Sequence, residues 1–180
     1  MSAAPEGVLS FWREAGPKRW FARDPAFDAE IRERFLATHE AAASGQLSAW
    51  EDTAEGALAL VIALDQFPRN MFRGTARAFS TDTLALAATR RAVARGFDRA
   101  IPMPERNFFY LPFQHSENLA DQERCFALSA ATGDAEAVKW AKIHLDVIRR
   151  FGHFPHRNAA LGRVSSPEEI AFLEGGGFSA

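Results

Sequence analysis

The chain has 180 residues, with 21 Lys and Arg set against 23 Asp and Glu, for a net charge of −2. That length suits one domain, whose core removes roughly 70% of the extended-chain surface from water without staples. The charge balance excludes a mainly electrostatic nucleic-acid binder. The single cysteine, Cys125, excludes an internal disulfide and any multi-cysteine metal or iron–sulfur centre. Alanine occurs 34 times and Val and Ile six times each, so the helix-favouring residue far outnumbers the strand-favouring ones. The expected fold is all-α: a single domain with its core at about 5–174 and a glycine-rich tail over 175–180. The segment Met1 to Glu6 has no apolar targeting region, and the most apolar run, Gly56 to Leu64, is well short of the roughly 20 residues that span a bilayer. A cytoplasmic protein with no membrane partner is expected.

Pro5 to Glu14 reads as a short helix with Val8, Leu9, Phe11 and Trp12 inward, stopped at Gly16-Pro17. Trp20 and Phe21 follow as a turn that covers the core. Asp24-Pro25 is a cap followed by a proline at the first helical position. The helix it starts runs through Phe27, Ile31, Phe35 and Thr38 to Gly45, with Glu30, Arg32, Glu33 and Arg34 on a solvated face. Asp52-Thr53-Ala54-Glu55 resembles a capping box with an acid as the cap. The segment after it is apolar on every side, the pattern of a fully buried helix. It is taken as the central helix, over about 54–66. A further helix starts at Ser80/Thr81/Asp82 and ends near Gly96. After a proline-rich bend at Ile101 to Pro104, Arg106 to Tyr110 forms a short aromatic helix. Helices then run from about Ser116 to Ala131, from an Asp134 cap to Phe151, and from Ser166-Pro167-Glu168-Glu169 to the glycine tail. This gives about seven to nine helices packed as antiparallel hairpins.

The informative residues are polar ones at apolar positions. Asp65 lies on the stripe Leu58, Val61, Ile62, where a carboxylate must be paired because a lone buried charge is very costly. Arg69, four residues on, is one partner within reach, although Pro68 removes a backbone donor and can bend that turn. His144 sits on the stripe Ala137, Trp140, Ala141, Ile148, Phe151. It reads either as a core histidine satisfied by a hydrogen bond or as a pocket-lining acid/base group. His115 shares a face with Leu119, Gln122 and Phe126 if the helix includes it. Glu117 beside it is favoured at a helix start for dipole reasons alone. Arg149, Arg150, His153, His156, Arg157, Asn158 and Arg163 form a locally basic stretch, interleaved with Phe151, Phe154 and Pro155. That stretch is either a solvated surface or a rigid frame holding arginines for an anion. Phe67-Pro68-Arg69-Asn70 recurs as Phe154-Pro155-His156-Arg157-Asn158, each followed by an arginine near a glycine. The echo reads either as chance in an Arg- and Phe-rich chain or as two equivalent helix ends from duplicated hairpins.

Several known sites are set aside. His115-Ser116-Glu117 has the His-x-Glu of zinc deaminases without their Pro-Cys-x-x-Cys. No His-Glu-x-x-His, phosphate-cradling glycine loop or Gly-x-Ser-x-Gly elbow occurs. Cys125 lies among Phe126 and Leu128 and reads as a small buried hydrophobe.

Taken in order, the blocks Trp20-Phe21 with Asp24, Leu64-Asp65-Gln66-Phe67-Pro68-Arg69-Asn70 with Arg73-Gly74, Ala78-Phe79 with Asp82, His115-Ser116-Glu117 with Asp121-Gln122, Phe151-Gly152-His153-Phe154-Pro155-His156-Arg157-Asn158 with Leu161-Gly162-Arg163, and Pro167-Glu168-Glu169 with Phe172-Leu173 resemble the bacterial domain-of-unknown-function family 924. The resemblance runs from about Val8 to Leu173. It implies a helical fold similar to tetratricopeptide repeats and no particular reaction. One departure is His153, where the family pattern usually has arginine.

Three readings follow. In the first, a small anionic molecule bearing phosphate or carboxylate binds at Gln66, Arg69, Asn70, Gln122, His156, Arg157, Asn158 and Arg163. His115 or His144 then serves as acid/base, and Asp65 or Glu117 orients it. In the second, stacked helix pairs form a groove for an acidic peptide. In the third, the arginines, Asp65 and Asn158 are a buried network that fixes helix ends. No metal, cofactor or nucleic acid is called for, and nothing indicates a homo-oligomer.

Overall fold

The computed structural model describes residues 3–177, so Met1, Ser2 and the last three residues of the glycine-rich tail lie outside the description. Every regular element among the described residues is helical. Seven α-helices have eight residues or more: Pro5–Ala15, Pro25–Ala43, Ala54–Val61, Asp82–Ala94, Leu119–Thr132, Ala135–Phe151 and Pro167–Glu174. Contacts group the chain into two compact units, one of residues 1–73 and 77–112, the other of residues 74–76 and 113–180.

In the first unit the opening helix buries Val8, Leu9, Phe11 and Trp12, as its spacing predicts, and Gly16 (φ 70°) ends it. Trp20 stacks on Trp12 at 6.1 Å, and its indole N–H donates to the Trp12 carbonyl at 2.6 Å. Phe21 departs from expectation. Trp20 is buried, whereas Phe21 is 68% exposed and rests on Phe108. Asp24 caps the long helix by accepting from the N–H groups of Ala26 and Phe27. That helix buries Phe27, Ile31, Phe35 and Thr38, and also His39 and Ala42.

The central segment is buried without interruption over residues 56–68. Its cap is Thr53, whose hydroxyl accepts from the Gly56 N–H at 3.0 Å, and not Asp52, which ends an exposed 3₁₀ turn. Glycine at 56 lets the helix start against that turn, since a Cβ there would collide with the Trp50 carbonyl oxygen. The expected single helix over 54–66 is two windings. The α-helix stops at Val61, and Ile62–Gln66 is a π turn leading into the helical turn Phe67–Met71.

Pro68 explains what surrounds this turn. The Phe67 N–H reaches the Ile62 carbonyl, the i→i+5 bond of a π turn. One residue later Pro68 has no N–H to offer Ala63 at five residues or Leu64 at four. Both carbonyls are buried and need a donor. His39 Nδ1 donates to Ala63 at 2.9 Å, and the Thr81 hydroxyl donates to Leu64 at 2.6 Å. His39 is thus tied as a donor, and burial, its main influence, lowers its pKa. Replacing Thr81 by Val keeps the shape and strands the Leu64 carbonyl. The expected loss is about 1–3 kcal/mol of unfolding free energy, read by urea denaturation. An unchanged midpoint would mean that the carbonyl finds another donor.

In the second unit the expected helix from Ser116 begins later, at Leu119. Asn118 is its cap, and the Ser116 hydroxyl is engaged with Asp121 at 2.7 Å. His115 therefore precedes the helix and does not share its face with Leu119, which is 44% exposed. Gly133 (φ 75°) and the Asp134 cap turn the chain into Ala135–Phe151, which packs along the preceding helix as an antiparallel hairpin. The buried face of Ala135–Phe151 centres on Ala141, His144, Leu145 and Ile148. Trp140 was expected on that face, but it lies about 100° from Ala141 around the helix and is 42% exposed. Gly152 (φ 73°) stops this helix. A complete capping box of Ser166 and Glu169 starts Pro167–Glu174. No helix among the described residues is long and apolar enough to cross a membrane.

Candidate functional site

The candidate residues separate between the two units. In the first, the Asp65 side chain is 1% exposed and its Oδ1 lies 3.1 Å from an Arg69 guanidinium nitrogen. The Gln66 amide donates to Asp65 Oδ2 at 2.5 Å. Arg69 also pairs with Asp82 at 2.9 Å and donates to the Asp65 carbonyl at 2.6 Å. Burial works against the charge on Arg69, but the two carboxylates outweigh it and raise its pKa. Asn70 donates to Asp28 at 2.7 Å, and Arg73 forks onto the same carboxylate at 2.9 Å through two nitrogens. Asp65, Gln66, Arg69 and Asn70 are thereby engaged in holding the π turn and the turn after it. Sequence reasoning missed Asp28 altogether and placed Asp82 only at a helix start, since the partners of both lie in distant parts of the chain.

The second unit gathers His115, Glu117, Gln122, His144, His156, Arg157, Asn158 and Arg163. Phe154, fully buried, is the centre of the basic groups. The His144 ring meets it edge-on at 5.6 Å, His156 lies at 5.5 Å, and the Arg157 guanidinium carbon stands 4.7 Å above it. His115 lies 6.4 Å from His144. His144 is a turn-bonded histidine: its Nδ1 is 2.8 Å from the Trp140 carbonyl, which fixes the proton there, and Gln114 approaches Nε2 at 3.5 Å. Burial first, then the positive charges of His115, His156 and Arg157, push its pKa down to about 3. A group that acidic is a poor proton acceptor at neutral pH, and His115 is half-buried at the turn.

Gln122 is fully buried, and its amide donates to the carbonyls of Gln114 and Ser116, both at 2.6 Å. It pins the turn that carries His115 and leads to Glu117. Glu117 accepts both arms of Arg163, at 2.8 and 2.7 Å, and the Phe154 N–H at 2.9 Å. Burial raises the Glu117 pKa, but Arg163, the Phe154 N–H and Arg157 together lower it on balance. Asn158, 1% exposed, donates to the Ser165 hydroxyl at 3.1 Å and interacts with Glu169. Glu169, read from sequence as a helix-start residue, also holds His153.

The two echoed segments share chemistry and differ in winding. Each buries its phenylalanine, proline and asparagine. The first continues a helix, whereas the second is a 3₁₀ turn, Pro155–Arg157, before the short turn Asn158–Leu161. Cys125 is buried and its thiol is pushed up to about 12, as befits a core residue. No group of three or more His, Cys, Asp or Glu among the described residues is placed to hold a metal ion.

An all-helical protein with a buried Asp–Arg–Asp centre and a histidine–arginine cluster is the class that fold and side chains define. The family described as a bacterial protein of unknown function, DUF924, matches residues 8–177, and the chain belongs to that family. It is similar, at 44% identity and with a TM-score of 0.93, to the structure of protein of unknown function ATU0120 from Agrobacterium tumefaciens. The match covers 95% of this chain and 97% of that one. No curated protein matches the chain.

Proposed function

We propose that the second unit binds a small molecule by an anionic group, phosphate or carboxylate, at the cluster of His115, His144, His156 and Arg157. The observation that carries this reading is the convergence of two imidazoles, His144 and His156, and the Arg157 guanidinium around the Phe154 ring, with a third imidazole, His115, 6.4 Å from His144. An anion there pairs with the Arg157 guanidinium and accepts hydrogen bonds from imidazole N–H groups. His115 and His156 are half-buried and within reach of solvent, while Phe154 and Pro155 are buried and keep the frame stiff. Arginine suits both candidate anions because its planar fork matches either. In this reading His115 is the group available for acid/base work, and Arg163 and Asn158 support the frame.

The first-unit set is read differently. Asp65, Gln66, Arg69 and Asn70 are a structural network, favoured by the close pairing of Arg69 with two carboxylates of the same unit.

A thermal-shift panel of inorganic phosphate, nucleotides, sugar phosphates, small carboxylates and acidic peptides tests the proposal. A compound at about 100 times its Kd adds roughly 2.7 kcal/mol. For a chain of this length that raises the midpoint by about 5–11 °C. The expected result is a shift with one class that His156→Gln and Arg157→Ala each reduce. A panel without any shift, or a shift that both variants retain in full, would overturn it.

A further inference from the structure

We infer that Glu117 is an internal occupant of a carboxylate seat: the Arg163 fork and the Phe154 N–H hold its carboxylate in the free chain, and a carboxylate of the bound small molecule takes its place. This rests on the anion-binding reading of the second unit, extends it to the adjoining donors Arg163 and the Phe154 N–H, which share Arg157 with the histidine cluster, and names carboxylate as the class of anion.

The seat is complete in its donors. Glu117 Oε1 accepts from the Phe154 N–H at 2.9 Å and from one Arg163 arm at 2.8 Å, while Oε2 accepts from the other arm at 2.7 Å. The parallel pair of N–H···O bonds is the strong, planar arrangement by which arginine reads carboxylates. Arg157 adds positive charge from beside it. The occupant comes from a distant part of the chain, 37 residues before Phe154 and 46 before Arg163. Nothing in the seat depends on the glutamate backbone, so a carboxylate from solution can make the same three bonds.

Two further features suit exchange. Glu117 lies on the bend between the turn Leu111–Gln114 and the helix Leu119–Thr132, outside the hydrogen-bond ladder of either. Its departure therefore breaks no helix. The pair also stands at the surface, with side chains 26% and 35% exposed, unlike the Asp65–Arg69 pair, whose carboxylate is 1% exposed. The buried pair is a lock, and the half-exposed one can open.

Removing the internal carboxylate tests this. Wild type, Glu117→Ala and Glu117→Gln are titrated with acetate, glutarate and inorganic phosphate at matched ionic strength. The expected result is that acetate and glutarate bind the variants about tenfold more tightly than wild type, or better, because a charged competitor is gone. Phosphate should gain less. If wild type binds an anion of the panel and the variants bind carboxylates no better, the internal-occupant inference fails while the anion-binding reading stands. If neither wild type nor the variants bind any of the three, both fail. Should the variants not fold, the Phe154 amide resonance of wild type is followed during a glutarate titration. A shift of that resonance supports displacement of Glu117, and an unmoved one overturns it.

Discussion

Lowering the pH from 7 to 5 should cost the folded chain about 2 kcal/mol from His144 alone. The sign follows from where the proton can go. In the unfolded chain an imidazole takes up its proton near pH 6.5, whereas in the fold burial and the neighbouring positive charges hold His144 down to about 3. Between those values the unfolded state carries more protons, so stability falls as pH falls, beginning near 6.5 and continuing toward 3. The whole window is worth on the order of 4 kcal/mol. His39, lowered mainly by burial, acts in the same direction. Urea denaturation at pH 7, 6 and 5 reads the slope directly. In His144→Gln the titrating group is gone and the slope should flatten, even though that variant starts lower for want of a well-placed donor to the Trp140 carbonyl. Parallel slopes in wild type and variant would show that the histidine protonates freely in the fold.

Arg69→Ala should be the most damaging single change in the first unit, at about 3–5 kcal/mol, the usual cost of stranding the partner of a buried ion pair. Two carboxylates would be stranded here, since Arg69 stands 3.1 Å from Asp65 and 2.9 Å from Asp82. The Asp65 carbonyl would also lose its 2.6 Å donor. Asp65→Asn relieves the charge and keeps the shape, so combining it with Arg69→Ala should cost clearly less than the sum of the two. Additive losses, measured by denaturation of the three variants, would mean that the pair contributes little to stability. Arg69→Lys is not a mild change at this site, because one ammonium cannot span two carboxylates and a carbonyl with a planar fork.

The sequence carries the helix boundaries wherever a cap and its glycine stop are local. Asp24, Asp134 and Ser166 accept from the N–H groups expected of caps, and Gly152 adopts the left-handed conformation expected of a stop. Periodicity also found the buried faces of the opening helix and of the helix holding His144. What it could not supply was anything decided by a distant donor. Pro68 announces that carbonyls will lack a hydrogen bond, but His39 and Thr81 answer them from 24 and 17 residues away. Ser116 and Asn118 are both good caps on paper, and only the bond from Ser116 to Asp121 decides between them. Much the same holds for the candidate site. The basic stretch from Arg149 to Arg163 is visible as composition, and the fold splits it: Arg150 pairs on the surface with Glu168, while Arg157 is buried over Phe154. Glu117 looked like an ordinary first-turn acid, because its arginine lies 46 residues further along the chain.

The π turn in the central helix has a consequence for phase. A wide turn holds one residue more than an α turn, and each residue of an α-helix advances about 100° around its axis. All that follows Ile62 is therefore rotated by about that angle from where an unbroken helix would carry it. In this winding Arg69 faces Asp82 and Asn70 faces Asp28. The apolar half of the segment and its polar half are wound out of step. A chain one residue shorter between Ile62 and Gln66 could keep every apolar side chain of the first half and still point its arginine at the wrong neighbour.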